Sequence, residues 1–294
     1  MTAKSGFVSV VGRPNVGKST LINSIVGQKV AIVSDKPQTT RNRIQGIYTE
    51  PRGQAIFIDT PGIHKPKHRL GEYMADVTSR ALREVDVVVY VVDLSASVGT
   101  GEEYIIKNLI GIDTPVFLVP NKLDLVNEEA VFRLIQDFSA RMNFAEVVPI
   151  SAAKGNNLDK LKELLFCYLP EGPLYYPEDE YTDQTERFIV SEYIREKALY
   201  LTREEIPHSL AVEIEEFETR NNLIYIRAVI YTERDSQKGI IIGKGGSMLK
   251  KIGEMARRDV EELLDCQVYL ELWVKVKKDW RNSEIQLKNL GYRR

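Results

Sequence analysis

Nine residues, Gly12-Arg-Pro-Asn-Val-Gly-Lys-Ser-Thr20, leave this chain few folds to choose from. They follow Phe7-Val-Ser-Val-Val11, an apolar run of the kind buried as a strand, and precede Leu21-Ile-Asn-Ser-Ile-Val26, which reads as the first turns of a helix. Strand, glycine-bounded loop, Lys-Ser/Thr and helix together make a cradle for phosphate. Gly12 and Gly17 let the backbone turn tightly and approach an anion. Loop amides and the helix N-terminus then present N–H groups and a partial positive charge to phosphate oxygens. Lys18 reaches the β- and γ-phosphates, and the Ser19 hydroxyl is placed to ligate Mg²⁺. A chance glycine turn is the plain alternative; the flanking pattern and the motifs downstream weigh against it.

From the N-terminus to about residue 170, strand and helix patterns alternate as in an α/β fold. Strands are expected at Ile44–Thr49 and Gln54–Ile58 around the turn Pro51-Arg-Gly53, then at Val87–Val92, Pro115–Val119 and Val147–Ile150. Helices are expected from about Gly71 to Arg83, near Glu102–Leu109, over Glu128–Met142 behind an Asn127 cap, and over Leu158–Tyr168. Ligands in such folds bind at the C-terminal ends of the strands, and the polar motifs fall there. Asp59-Thr-Pro-Gly62 follows one strand: Asp59 can hold Mg²⁺ opposite Ser19, and Gly62 can offer its amide to a γ-phosphate. Asn121-Lys-Leu-Asp124 follows another: the Asp124 carboxylate can accept from the N1–H and N2 amine of guanine, a donor pair that adenine lacks. Ser151-Ala-Ala-Lys-Gly155 follows the last, with an amide near Ala152 for guanine O6.

In this order and spacing, the four motifs resemble those of the translation-factor-related GTPases. The resemblance implies GTP and GDP as ligands and Mg²⁺ as cofactor. It places nucleotide contacts at Arg13, Pro14, Asn15, Val16, Gly17, Lys18, Ser19 and Thr20, at Asp59, at Asn121, Lys122 and Asp124, and at Ser151, Ala152 and Ala153. Lys18, Thr40 and Gly62 stand nearest the chemistry, with Ser19, Thr40 and Asp59 as the Mg²⁺ set. Gln38-Thr-Thr-Arg-Asn42 resembles the first switch of this class, where a threonine ligates Mg²⁺ while γ-phosphate is present. Thr40 is favoured over Thr39, although spacing alone leaves both open. The second switch runs from Asp59 to about Arg69. Where Ras-like enzymes carry a water-orienting Gln, this chain has Ile63, so slow intrinsic hydrolysis is expected. Asn15 resembles the asparagine that holds K⁺ beside the phosphates in related GTPases, in the charge-neutralising place of an arginine finger; bracing the loop is its alternative role. His64 and His68 lie in the second switch without a Cys or acidic partner at useful spacing, and Pro66 disfavours a helix there, so they read as part of a solvated or RNA-facing switch rather than metal ligands.

Leu169-Pro-Glu-Gly-Pro-Leu-Tyr-Tyr-Pro-Glu-Asp-Glu180, with its prolines and acidic cluster, reads as a domain boundary. The expected division is 1–170, a linker at 171–182, and 183–294. A helix opened by a capping box of Asp183 and Glu186 runs to about Arg203. Alternating apolar residues at 210–214, 224–230 and 268–276 give a half-buried three-stranded sheet. Between the last two strands, Gly243-Lys-Gly-Gly246 joins two helical patterns. This Gly-x-x-Gly turn looks like the nucleic-acid clamp of KH domains, which grips about four nucleotides of single strand. Gly243, Gly245 and Gly246 let the backbone come close, Lys244, Lys250 and Lys251 supply charge, and Ile241 and Ile242 flank the bases. Trp273, Trp280 and Tyr292 read as packing residues.

The whole arrangement, an α/β P-loop GTPase domain with a mostly parallel sheet followed by a smaller α+β KH-type domain, resembles the Era family of bacterial ribosome-assembly GTPases. That resemblance implies binding of the 3′ end of 16S ribosomal RNA, work on the 30S subunit, and association with the inner face of the membrane. No amphipathic anchor strong enough to derive the last is visible. A KH domain that binds only protein, or an RNA scaffold with vestigial hydrolysis, are the alternatives. The net charge of −2 divides unevenly: residues from Lys238 onward carry +5 and the rest −7, which fits a polyanion partner at the C-terminal end. No apolar run reaches membrane-spanning length, no secretory core opens the sequence, and Cys167 and Cys266 read as reduced, mostly buried thiols; a cytosolic monomer is expected.

Overall fold

The computed structural model describes residues 3–36, 38–62, 68–96, 98–203, 206–220 and 223–292. The chain forms two compact units. The first is drawn from Met1–Val33, Thr40–Pro66 and Tyr73–Asp183; the second from Ser34–Thr39, Lys67–Glu72 and Gln184–Arg294.

The elements follow in the order β1 (Lys4–Val11), α1 (Lys18–Val26), β2 (Ile44–Glu50), β3 (Gly53–Asp59), α2 (Arg69–Ala81), β4 (Val87–Asp93), α3 (Thr100–Leu109), β5 (Val116–Asn121), α4 (Glu128–Ser139), β6 (Glu146–Val147) and α5 (Leu158–Tyr168). They build a six-stranded sheet in the order β2-β3-β1-β4-β5-β6. Only β2 runs antiparallel, because the two-residue turn after Glu50 sends the chain straight back into β3 with Glu50 opposite Gly53. The parallel strands read as near-continuous apolar runs because helices cover both faces. Val87 through Val92 of β4 are each at most 1% exposed. The helix over 128–139 is capped as expected, Asn127 accepting from the Ala130 amide at 3.0 Å.

Residues 171–182, expected as a linker, are held against the first unit by residues far away in sequence. Glu171 bridges to Lys4, and Gly172 N donates to Ala3 O at 2.9 Å. Gln54, fully buried in β3, accepts from the amides of Tyr175 and Tyr176, each at 3.0 Å, and donates to the Tyr176 carbonyl at 3.0 Å. Thr182 Oγ1 donates to the Gln45 carbonyl at 2.7 Å, and Ile47 N to Tyr181 O at 2.9 Å. The prolines and acids mark an irregular strap rather than a free tether.

The second unit contains α6 (Glu186–Leu201), α7 (Ile206–Ser209), β7 (Ala211–Arg220), β8 (Leu223–Thr232), α8 (Asp235–Ile242), α9 (Ser247–Leu264), β9 (Val268–Val276) and α10 (Glu284–Asn289). Its three-stranded sheet runs β7-β8-β9, with β7 antiparallel and β9 parallel to β8. The parallel pair requires a crossover, which α8 and α9 supply. Ile226, Ala228 and Ile230 of β8 are fully buried, as are Ile194 and Ala198 of α6 and Ile252, Ala256 and Val260 of α9. Each such Ile or Val contributes about 1.5–3 kcal/mol on burial. The cap of α6 is Thr185, whose hydroxyl accepts from Phe188 N at 3.3 Å, not Asp183. The helix starts at Glu186, so Asp183 lies too far upstream. Trp280 is fully buried, donates to Ser209 O at 2.9 Å and stacks on Tyr292, as a packing residue should. Trp273 is not core: odd-numbered β9 residues face outward, and it is 52% exposed. Both cysteines are free, but Cys167 is exposed and Cys266 only partly covered.

Candidate nucleotide and nucleic-acid sites

The motifs expected at strand ends meet at the C-terminal edges of β1, β3 and β5. The phosphate loop leaves β1 and enters α1 through Gly17, whose φ is +100°. A side chain at Gly17 would sit 2.2 Å from Asn121 Nδ2. That closeness is used: Asn121 Nδ2 donates to Val16 O at 2.8 Å and so ties the phosphate loop to the base loop. Asn15 is exposed at the loop tip with a left-handed backbone, φ +65°. Arg13 turns away from the loop and pairs with the buried Glu102 of α3 at 3.0 Å. Pro14 packs against the buried Gly62, which brings the second switch's glycine to the loop.

Lys18 is buried, its Nζ donating to Arg13 O at 2.9 Å and Gly12 O at 3.3 Å. Burial lowers its pKa to about 8, against the pull of Asp59. Asp59 is fully buried, and burial raises its pKa despite Lys18 and three hydrogen bonds. Both groups are therefore held in a site that penalises their charges until counter-charges arrive. Asp59 Oδ2 accepts from Ser19 Oγ at 2.7 Å and Thr40 Oγ1 at 3.1 Å, and the two hydroxyls lie 3.1 Å apart. Asp59 Oδ1 is buried with no hydrogen-bond partner among the described residues. Two hydroxyls beside an under-satisfied carboxylate suit a hard cation such as Mg²⁺. The two threonines point in different directions: Thr39 Oγ1 donates to Lys36 O at 2.6 Å, whereas Thr40 Oγ1 donates to Asp59 Oδ2.

At the base end, Ser151 Oγ donates to Asp124 Oδ1 at 2.5 Å, and this bond holds the exposed Asp124 carboxyl below its usual pKa. Asp124 thus stays an acceptor, as guanine recognition needs. The Ala152 amide does not wait for guanine O6; it donates to Asn121 Oδ1 at 2.9 Å and braces that side chain. Ala153, the next residue, is exposed. Lys122, in a left-handed conformation, pairs with Asp93 at 2.5 Å. Asp93 accepts from Ser95 as well, and its pKa is lowered by these bonds against the cost of burial. Sequence reasoning passed over Asp93, Glu102 and Gln54. Asp93 had a signal: it is the one acid ending an otherwise apolar strand, level with Asn121 in the neighbouring strand.

Residues 63–67 of the second switch, including Ile63, His64 and Lys65, lie outside the described residues. His68 caps α2, its Nδ1 accepting from Gly71 N at 3.0 Å. No group of three or more His, Cys, Asp or Glu side chains placed to hold a metal ion is found among the described residues.

In the second unit, Gly243 (φ +72°) ends α8, and α9 starts at Ser247. A Cβ at Gly243 would lie 2.7 Å from Met248 Cβ, so the turn closes only with glycine there. Nothing lies within 4 Å of a Cβ built on Gly245 or Gly246, which leaves that side of the turn open. Lys244, Lys250 and Lys251 are exposed around it. Ile241 is fully buried in the core and cannot flank a base; Ile242 is half-buried, and the exposed apolar residue here is Ile240. The helix phase explains the exchange, since α8 needs one isoleucine inside to pack.

Comparison with known proteins agrees with this geometry. Residues 7–122 match the family described as 50S ribosome-binding GTPase, and residues 205–281 match the KH domain family. The GTPase Era of Heliobacterium modesticaldum is 57% identical over 290 residues, covering 98% of this chain and 97% of that protein. The crystal structure of an Aquifex aeolicus Era variant bound to GDP·AlF4⁻ superposes with a TM-score of 0.95 at 43% identity, over 98% of this chain and 99% of that one. Era in complex with MgGDPNP and nucleotides 1506–1542 of 16S ribosomal RNA gives a TM-score of 0.96 at 43% identity, over 99% of both chains. Fold and sites together define a P-loop GTPase that carries a KH module. With these relatives matched over nearly their whole length, the chain belongs to the Era family of GTPases.

Proposed function

We propose that this GTPase is a molecular switch that binds the 3′ end of 16S ribosomal RNA through its KH unit and acts in assembly of the 30S subunit. The observation that carries this reading is the near-complete match to Era solved with both MgGDPNP and a 16S fragment, joined to an open, lysine-flanked Gly243–Gly246 turn in this chain.

Asp124 and the Asn121 brace select guanine, and Lys18 supplies the phosphate countercharge. Ser19, Thr40 and Asp59 would hold Mg²⁺, which when bound neutralises charge on the phosphate oxygens. The Gly62 amide lies close to the loop and can donate to a γ-phosphate oxygen. Isoleucine at position 63 offers no group to orient water, so the intrinsic rate is slow. Asn15, at the open tip of the loop, is placed to help hold K⁺ beside the phosphates. If so, hydrolysis in K⁺ exceeds that in Na⁺, and Asn15→Asp or Asn15→Ala abolishes the difference; equal rates in the two salts would remove the cation from the mechanism.

On the RNA side, the glycine turn admits the sugar-phosphate backbone, Lys244, Lys250 and Lys251 pair with phosphates, and Ile240 and Ile242 offer apolar edges to bases. A cytosolic monomer is part of this reading, and so is the membrane association implied by the family likeness, to be tested by vesicle flotation. The central experiment is binding of a single-stranded 16S 3′-end oligonucleotide to the GDPNP- and GDP-loaded protein. Tighter binding in the GDPNP state supports the switch; equal affinity in both states rejects it.

A further inference from the structure

Three contacts within the first unit converge on one peptide group, the bond between Arg13 and Pro14 in the phosphate loop. Its oxygen, the Arg13 carbonyl, accepts from Lys18 Nζ at 2.9 Å. Its nitrogen, Pro14 N, backs onto Gly62, where a Cβ would lie 2.7 Å from it. The Arg13 side chain runs outward to α3, and its Nη1 donates to Glu102 Oε2 at 3.0 Å. Glycine at position 101 lets it pass, since a Cβ there would sit 2.9 Å from Arg13 Cδ and Nε. An acid in the first turn of a helix is ordinary, because it faces the positive end of the helix dipole. Its burial is not: Glu102 is 5% exposed, and a carboxylate so placed calls for a paired charge. Arg13, Pro14, Lys18, Gly62, Gly101 and Glu102 all belong to the first unit.

We propose that Glu102 is a positioning residue for the γ-phosphate, holding Arg13 so that the Arg13–Pro14 peptide keeps Lys18 and Gly62 in register with each other. The Arg13 carbonyl oxygen and the Pro14 nitrogen share one rigid plane, so turning the carbonyl away from Lys18 also turns Pro14 against Gly62. Proline fixes its own φ, which leaves rotation at Arg13 as the main freedom in this part of the loop. The ion pair restrains that rotation from outside the loop. Glu102 holds the far end of the side chain, and the stem lies against Gly101. On the other side, Gly62 is packed so closely on Pro14 that only glycine fits there. Two groups that meet a γ-phosphate, the Lys18 ammonium and the Gly62 amide, are thus set by one arginine whose own guanidinium points away from the loop.

The proposal rests on the reading of Gly62 as a γ-phosphate donor, and Gly62→Ala tests that reading separately. Affinities of the full chain for fluorescent GDPNP and GDP are measured with Mg²⁺ for wild type, Arg13→Met, Glu102→Ala, the double variant and Gly62→Ala. Single-turnover GTP hydrolysis is followed alongside. Arg13→Met keeps a stem against Gly101 and loses the guanidinium. Each of the Arg13 and Glu102 variants is expected to weaken GDPNP about fivefold relative to GDP, the size of one typical hydrogen bond, and to slow single-turnover hydrolysis. The double variant is expected to be no worse than either single one, because the two residues act as a unit. Glu102→Gln shifts the ratio in the same direction by less, and serves if Glu102→Ala folds poorly. A pair that only stabilises the fold would weaken both nucleotides equally or neither, and either result overturns the proposal, as do effects that add in the double variant. If Gly62→Ala lowers the GDPNP-to-GDP ratio while the Arg13 and Glu102 variants keep it, the γ-phosphate reading stands and the positioning role falls. If Gly62→Ala leaves the ratio unchanged, that reading fails and the proposal with it.

Discussion

At the residue scale, the site is organised by what burial does to charge. Lys18 has its pKa lowered to about 8 by burial, so the nucleotide-free protein loses that positive charge over the upper part of the neutral range. Phosphate binding needs the ammonium, and deprotonation removes it. GTP affinity is therefore expected to fall as pH rises from 7 to 9, and binding near pH 8 takes up protons because phosphate charge raises the lysine pKa again. Titration calorimetry in buffers of different ionisation enthalpy measures the uptake; a flat affinity and no proton uptake would show that Lys18 is fully charged beforehand. Residue type and order predicted Lys18, Asp59, Asn121 and Asp124 at or just beyond strand ends, and the structure places them there, because phosphate, cation and guanine ligands each ask for a particular group. The same reasoning left Thr39 and Thr40 open and did not foresee that the Ala152 amide donates to Asn121. Those depend on which way a hydroxyl or N–H points, and that is set by Lys36 O and Asn121 Oδ1, partners that spacing does not reveal.

At the element scale, period-two alternation located β9 and the apolar run located β4, because each is dictated by the face it buries. The errors lie where backbone polar groups find partners far off in sequence. The strap at 171–182 looks like a linker by composition, yet its amides end on Gln54, more than 120 residues earlier. Gln54→Leu would leave the Tyr175 and Tyr176 amides without that acceptor, and should cost about 1–3 kcal/mol in urea unfolding, as two part-buried amides lose their partner. It should also open 171–182 to limited proteolysis. A loss under 0.5 kcal/mol would mean that water replaces the glutamine readily. The cap of α6 gives a smaller effect. Thr185→Ala is expected to cost about 1 kcal/mol in urea unfolding; an unfolding midpoint that does not move would remove Thr185 as the cap.

For the whole molecule, the uneven charge bears on one question, whether RNA held by the second unit changes the rate of GTP hydrolysis in the first. Lys244, Lys250 and Lys251 are exposed around the Gly243–Gly246 turn, and α9, which begins at that turn, packs on α6. Occupancy of the turn can alter hydrolysis only if RNA binds differently to the states in which Thr40 is and is not placed. The outcome expected in K⁺ buffer is that the 16S 3′-end strand accelerates GTP hydrolysis by wild type, and that Lys244→Glu loses most of that acceleration. Removing one phosphate contact should also lower the slope of log affinity against log salt by about 0.7, the single-strand value. Acceleration lost with an unchanged salt slope would place Lys244 in a packing role and move the phosphate contact elsewhere on α9. RNA that binds with the full slope yet never changes the rate would mean that it binds equally to the states in which Thr40 is and is not placed, and that the stimulus for hydrolysis comes from a different surface of the ribosome.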